Sequence, residues 1–232
     1  MEDYPNALNG LQLENDGQVT RIGAAVDASE TAIEMAVGQQ LDLLIVHHGL
    51  FWGGLNRLVG PQFSKIKRAV STNLAIYSAH LPLDLHPEVG NNVLLARSLE
   101  LGPPEPFFPH KGQNLGFAVS TKIDRAELID RLRRVLGREL WVCPAGPAEV
   151  RRVGILTGGA GSQVERARAE GIDTFVSGEG PHHTFALAEE LRVNLIYGGH
   201  YATETFGVRA LAERVATQFA LPWSFLDHPS GL

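Results

Sequence analysis

The chain is poor in several residue types, and each shortage removes a reading. One cysteine, Cys143, occurs in 232 residues. That excludes a disulfide framework and any metal site built from several thiolates. A lone cysteine of this kind reads as a small buried side chain near a strand end. Basic residues do not dominate: 20 Lys and Arg stand against 26 Asp and Glu, a net charge of −6. The chain therefore lacks the basic footprint of a nucleic-acid binder. No apolar stretch approaches the ~18–20 residues of a transmembrane helix. The opening MEDYPNALNG has neither the charged nor the apolar region of a signal peptide. The expectation is a soluble cytoplasmic protein with no membrane or nucleic-acid partner.

What is present is an alternation of short apolar runs with helical patterns. RIGAAVDA (21–28) reads as a strand, followed by a helix capped by Ser29. LDLLIVHHG (41–49) and LAIYSAHL (74–81) read as further strands, each preceded by a helical segment. Strands separated by helices of about ten to fifteen residues indicate βαβ units and a mainly parallel sheet. The Pro-rich GPPEPFFPH (102–110) reads as a linker. Beyond it the same alternation returns. The expected fold is α/β, two related halves with mainly parallel sheets and a metal site where they face each other. The expected division is 1–105 plus 190–232 for one domain and 106–189 for the other.

The halves resemble each other in detail. RIGAAVDASETAIEMAVGQQLDLLIVHHG and RVGILTGGAGSQVERARAEGIDTFVSGEG share one plan, with Ile22-Gly23 matching Val153-Gly154 and Asp42 matching Asp173. NLAIYSAHLPLD (73–84) and NLIYGGHYATE (194–204), aligned on their Ile-Tyr pairs, set His80 opposite His200 and Asp84 opposite Glu204.

Functional groups of open α/β sheets gather beyond the carboxyl ends of the strands. His47 and His48, His80 and Asp84, and His200 and Glu204 all follow apolar runs in this way. Imidazole and carboxylate without thiolate suit a divalent ion such as Zn, Fe, Mn or Ni. A helix is expected to begin near Ala202–Thr203, and if its first turn includes His200, Glu204 falls on the same face at i+4. Pro82 disfavours a helical Leu81 and predicts a loop there, with Asp84 as ligand and His80 orienting it. Adjacent His47 and His48 would point to opposite faces of a strand, so a bend at Gly49, Gly53 and Gly54 is expected. Glu179, His182 and His183 read either as a helix start with exposed histidines or as a cluster that moves protons. LTGGAGSQV (156–164) reads either as a tight turn or as a phosphate cradle.

Five stretches carry a family resemblance: NGLQLE, VHHGLFWG, HLPLDLHPEVGNN, SGEGPHH and GHYATETFGV. In this order and across nearly the whole chain, they resemble the NIF-three-like (Ngg-interacting factor) proteins, also labelled GTP cyclohydrolase I type 2 homologues. The resemblance implies a two-domain α/β subunit with two divalent metal ions, assembled as a ring-shaped homohexamer. It implies His47, His48, Asp84, His200 and Glu204 as ligands, with Asp84 or Glu204 as the bridge. His80 and Glu179 match positions close to the centre without ligand status, and are candidates for proton transfer. Members usually carry a helix before the NGLQ segment, where this chain has only a few residues. Some carry a mid-chain insert, for which 103–150 leaves no room. The implied function is metal-dependent hydrolysis of a nucleotide or related small molecule, with attack on a carbon such as C8 of a purine. The alternative is a non-catalytic metal-binding protein: a regulator, metallochaperone or scaffold.

Overall fold

The computed structural model describes residues 3–52, 54 and 56–232. In chain order the strands and helices are β1 (Gly10–Leu13), β2 (Ile22–Asp27), α1 (Glu30–Gly38), β3 (Leu43–His48), α2 (Gly60–Ser71), β4 (Ala75–Ser78) and α3 (Leu81–Asp84). They continue with α4 (Asn91–Ser98), β5 (Glu105–His110), β6 (Gln113–Asp124), α5 (Arg125–Leu136), β7 (Trp141–Pro144) and β8 (Glu149–Ile155). The remainder are α6 (Val164–Ala169), β9 (Thr174–Ser177), α7 (Thr184–Leu191), β10 (Asn194–Tyr197), α8 (His200–Thr203), α9 (Thr205–Phe219) and β11 (Trp223–Phe225). Among the described residues, no helix is long and apolar enough to cross a membrane.

The chain divides into two compact units, one of Met1–Leu83 with Gly207–His228, the other of Asp84–Phe206 with Pro229–Leu232. The first contains a sheet ordered β1-β4-β3-β2-β11. Its inner pairings β4-β3, β3-β2 and β2-β11 are parallel, and β1 joins the edge antiparallel. Helix α1 starts at Ser29, whose hydroxyl accepts from Ala32 N–H as an N-cap. Ile33 and Ala36 of that helix join Leu44, Val46 and Ile76 of the strands in one buried cluster.

The second unit contains a sheet ordered β5-β6-β8-β9-β10-β7. Its centre, β8-β9-β10, is parallel, and antiparallel strands flank it on both sides. Both faces are covered. Phe175 and Leu195 pack into one buried cluster with α6 and α7. Their neighbours Val176 and Ile196 pack into another with α4 and α5. Side chains alternate across a strand, so a strand buried on both faces has no solvent-facing side to alternate with its core-facing one. That is why TFVS and NLIY carry no polar alternation. Cys143 is buried in the first of these clusters, as expected of a lone structural cysteine.

Three expectations need correction. GPPEPFFPH is not a linker: its Glu105–His110 portion is the edge strand β5, paired antiparallel to β6. Proline is tolerated there because an edge strand has one side without a ladder. The domain division also moves. Asn194–Tyr197 pairs with Thr174–Ser177, so the segment from 190 belongs to the second unit as far as Phe206, and the first boundary falls after Leu83. Finally, HLPLD is not a loop. Leu81–Asp84 forms a single helical turn, because Pro82 sits in the first turn, where its missing N–H has no partner to lose.

The two halves repeat as the sequence suggested, but the last strand is in a different register. Leu43 pairs with Ala75 as Thr174 pairs with Asn194. Ala79 N–H donates to Val46 O as Gly198 N–H donates to Ser177 O. Asn73 and Arg192, just before these strands, share a left-handed φ of 55° and 53°. The structural equivalent of His80 is therefore Gly199, and that of His200 is Leu81. Aligning the two Ile-Tyr pairs shifts β10 by one residue, which exchanges its faces. Tyr77 and Tyr197 are not counterparts.

Candidate metal centre

In the first unit, the polar groups collect at the carboxyl ends of β2, β3 and β4. Asp27 closes β2, His47 and His48 close β3, and His80 follows β4. No bend precedes the histidine pair, since His48 is still in register with Asp27. The two imidazoles nevertheless lie with centroids 4.8 Å apart. One ring nitrogen from each of His47, His48 and His80 lies within 4.8 Å of the others. Gly53 lies outside the described residues. Gly49 has a different duty from bending: a Cβ there would stand 2.3 Å from Gln12 Nε2. Gln12 uses the space to accept from Leu50 N–H at 2.6 Å, which gives the NGLQ segment its structural role.

Each imidazole is held from behind. His47 Nδ1 bonds the Ala79 carbonyl at 2.9 Å, His48 Nδ1 bonds Asp27 Oδ1 at 2.8 Å, and His80 Nδ1 bonds Asp3 at 3.0 Å. Burial acts to raise the Asp3 pKa, but its hydrogen bonds with His80 and Asn9 prevail and hold it below the usual carboxylate value. Trp52 packs edge-on against His80 with centroids 4.9 Å apart.

In the second unit, Asp84 closes α3, and Glu179, His200 and Glu204 follow β9, β10 and α8. Asp84 is buried, and its Oδ1 accepts from Asn91 Nδ2 at 2.8 Å, while its carbonyl accepts from Asn92 Nδ2. Glu204 is buried too, and an oxygen of each carboxylate lies within 4.8 Å of the other. His200 opens the helical turn that the i, i+4 spacing required, and its Nε2 lies 3.1 Å from Glu204 Oε2. Its Nδ1 lies 2.8 Å from Glu179 Oε1. Hydrogen bonding to Glu204, opposed by burial and reinforced by Glu179, pushes the His200 pKa up to about 9.

The glycine turn packs against this group. Gly158 has φ +67°, and a Cβ there would stand 2.2 Å from Glu204 Oε1. The N–H groups of Gly158, Ala160 and Gly161 donate to Thr203 Oγ1, Ser177 Oγ and Glu179 O. Tight geometry therefore accounts for the turn, and three of its N–H groups are already spent on the protein itself. His182 and His183 are exposed at the start of α7 and belong to neither set.

Asp84 and Glu204 both lie in the second unit, where Asn91 of α4 donates to Asp84 Oδ1, whereas His47, His48 and His80 lie in the first. Asp3, Asp27 and Asn91 were missed as supporting groups. Only Asp27 had a sequence signal, its place at a strand's carboxyl end. The candidate groups suit a divalent ion: imidazoles and carboxylates only, with Nδ1 of each histidine engaged so that Nε2 is the nitrogen that could ligate.

These features define a mixed α/β protein with two sheets and His/Glu groups that could bind a metal ion. The chain belongs to the Duf34/NIF3 (NGG1p interacting factor 3) family, which it matches over residues 2–229. It is 40% identical over 232 residues to a Deinococcus radiodurans protein named GTP cyclohydrolase 1 type 2 homolog, covering 99% of this chain and 88% of that one. The solved structure of TTHA1606 from Thermus thermophilus is 38% identical, with a TM-score of 0.90 over 99% of this chain and 92% of that one. A second solved structure, protein ybgI of unknown function, is 34% identical with a TM-score of 0.92 over 100% and 93%.

Proposed function

We propose that His47, His48, Asp84, His200 and Glu204 are the ligands of a dinuclear metal centre, and that this centre hydrolyses a nucleotide or related small molecule. The observation that carries the reading is the support behind each imidazole: a carboxylate or carbonyl holds Nδ1 of His47, His48 and His200. Surface histidines have no need of that restraint, whereas ligating histidines are fixed in this way. The names of the relatives point to a GTP cyclohydrolase type of reaction.

Bound divalent ions would supply Lewis acidity and lower the pKa of an attacking water. The chain's own residues then divide the remaining tasks. Asp84 and Glu204 would hold the ions. Glu179 is partly exposed, with one oxygen on His200 Nδ1, and serves to take and return a proton. His80, steadied by Asp3, orients the reactants or moves a second proton. The same reading makes the protein a cytoplasmic homo-oligomer, a ring-shaped hexamer as the family resemblance implies.

Elemental analysis of the purified protein, followed by GTP turnover with the ion found, tests this. About two transition-metal ions per chain, lost in His200→Ala and Glu204→Ala, is the expected result. A content well below one after reloading sinks it. Two ions without turnover of any nucleotide would favour the non-catalytic metal-binding reading.

A further inference from the structure

In the second unit, a concave pocket of about 420 Å³ opens beside Trp141, Phe185, Tyr197, Thr184, Gly180 and His182. That volume is in the range that holds small-molecule ligands. Its walls are aromatic. Trp141 stacks on Tyr197 with centroids 4.9 Å and planes 20° apart, and Phe185 stands edge-on to Trp141 at 6.2 Å. Trp141 remains 43% exposed and Phe185 42%. Two large rings facing water inside one concavity are costly unless something covers them.

The pocket also has a fixed polar element. Thr184 Oγ1 donates to the Pro181 carbonyl at 2.7 Å. In its 2.5 Å contact with Tyr197 Oη, the phenol must therefore be the donor. The phenol oxygen keeps only acceptor capacity. Glycines at 161 and 180 make room for it, since a Cβ at either would stand 2.4 or 2.2 Å from Oη.

Short stretches of chain join the pocket walls to the polar group of the second unit. Gly180 follows Glu179, whose carboxylate lies on His200. The turn that meets Glu204 at Gly158 meets Tyr197 at Gly161. We propose that the pocket is the ring-binding subsite of the hydrolytic centre and takes a planar nitrogen heteroaromatic ring, of nucleobase or pteridine size, stacked on Trp141 and edge-to-face with Phe185. Aromatic faces accept any such ring, and the Tyr197 oxygen suits one that carries N–H donors. This inference rests on the hydrolase reading above.

Calorimetric titration of guanosine, adenosine and biopterin into metal-loaded wild type, Trp141→Leu and Phe185→Leu tests it, with inorganic tripolyphosphate as the ring-free probe. Both substitutions are at partly exposed positions, and metal content per chain reports whether each variant keeps its fold. At least one ring compound should bind wild type and weaken about tenfold or more in both variants, with the tripolyphosphate response unchanged. No ring binding to wild type at millimolar concentration, or equal binding in both variants, overturns the proposal. The two readings fail separately. Ring binding that needs Trp141 and survives in metal-free Glu204→Gln, without turnover in loaded wild type, retires the hydrolase and leaves the ring site. Turnover with kcat/KM untouched by Trp141→Leu retires the ring site and leaves the hydrolase.

Discussion

Asp42 and Asp173 do the same work in the two units. Asp42 Oδ2 accepts from the backbone N–H groups of Thr20 at 2.7 Å and Arg21 at 3.0 Å. Asp173 Oδ2 accepts from Arg151 at 2.8 Å and Arg152 at 3.0 Å. Each carboxylate ties the start of one parallel strand to the entry of the next. Burial acts to raise the Asp42 pKa, but the hydrogen bonds from Thr20 and Arg21 outweigh it and hold the pKa below the usual value.

That depressed pKa sets a pH dependence. A carboxyl whose folded pKa lies below its unfolded value stabilises the fold above about pH 4, and the contribution is lost as pH falls through the folded pKa. Asp42→Asn should therefore cost about 1 kcal/mol at neutral pH, the scale of charged hydrogen bonds at a partly exposed site. The gap to wild type should narrow below about pH 4. Urea unfolding at several pH values measures it, and a gap that stays constant down to pH 3 would show that the charge is not responsible.

Gly158→Ala should damage both fold and metal binding. The backbone has φ +67° there, and the new Cβ would meet Glu204 Oε1. A left-handed glycine replaced by alanine costs on the order of 1 kcal/mol, and displacing Glu204 would remove a proposed ligand. Thermal unfolding together with metals per chain reads both effects. A full metal complement at unchanged Tm would mean that the turn moves without consequence.

Asn91 holds the Asp84 carboxylate from α4. Asn91→Ala should weaken metal affinity by about 10–100-fold, the usual effect of losing a group that orients a ligand. Competition with a chromogenic chelator measures it. Unchanged affinity would remove Asp84 orientation from the account.

Glu179→Gln keeps an oxygen that can accept from His200 Nδ1 but cannot carry a proton. Metal content should therefore persist while kcat falls by about 10²–10⁴-fold. Loss of metal in this variant would instead make Glu179 a positioning residue for His200.

Much of the candidate site was legible in advance because its residues follow the apolar runs that become strands. The i, i+4 spacing of His200 and Glu204 was enough to predict their contact, since helical geometry is local. The repeat was legible through Asp42 and Asp173, because each serves its own βαβ unit. Asp3 could not be found in this way. It reaches His80 across 77 residues of chain, and nothing in its surroundings announces that partner.

The sequence by itself determined what local chemistry controls: the alternation of strands and helices, the cap at Ser29, and the chemical type of the metal donors. Only the tertiary structure decided which residues correspond. Strand register is set by pairing with a neighbour, and one residue of slip exchanges the two faces. That is why His80 answers to Gly199 and not to His200. It also placed Asp84 and Glu204 in the same unit, with Asn91 of α4 donating to the Asp84 carboxylate. The stacking of Trp141 on Tyr197 has the same origin: strands β7 and β10 become neighbours only when the sheet forms.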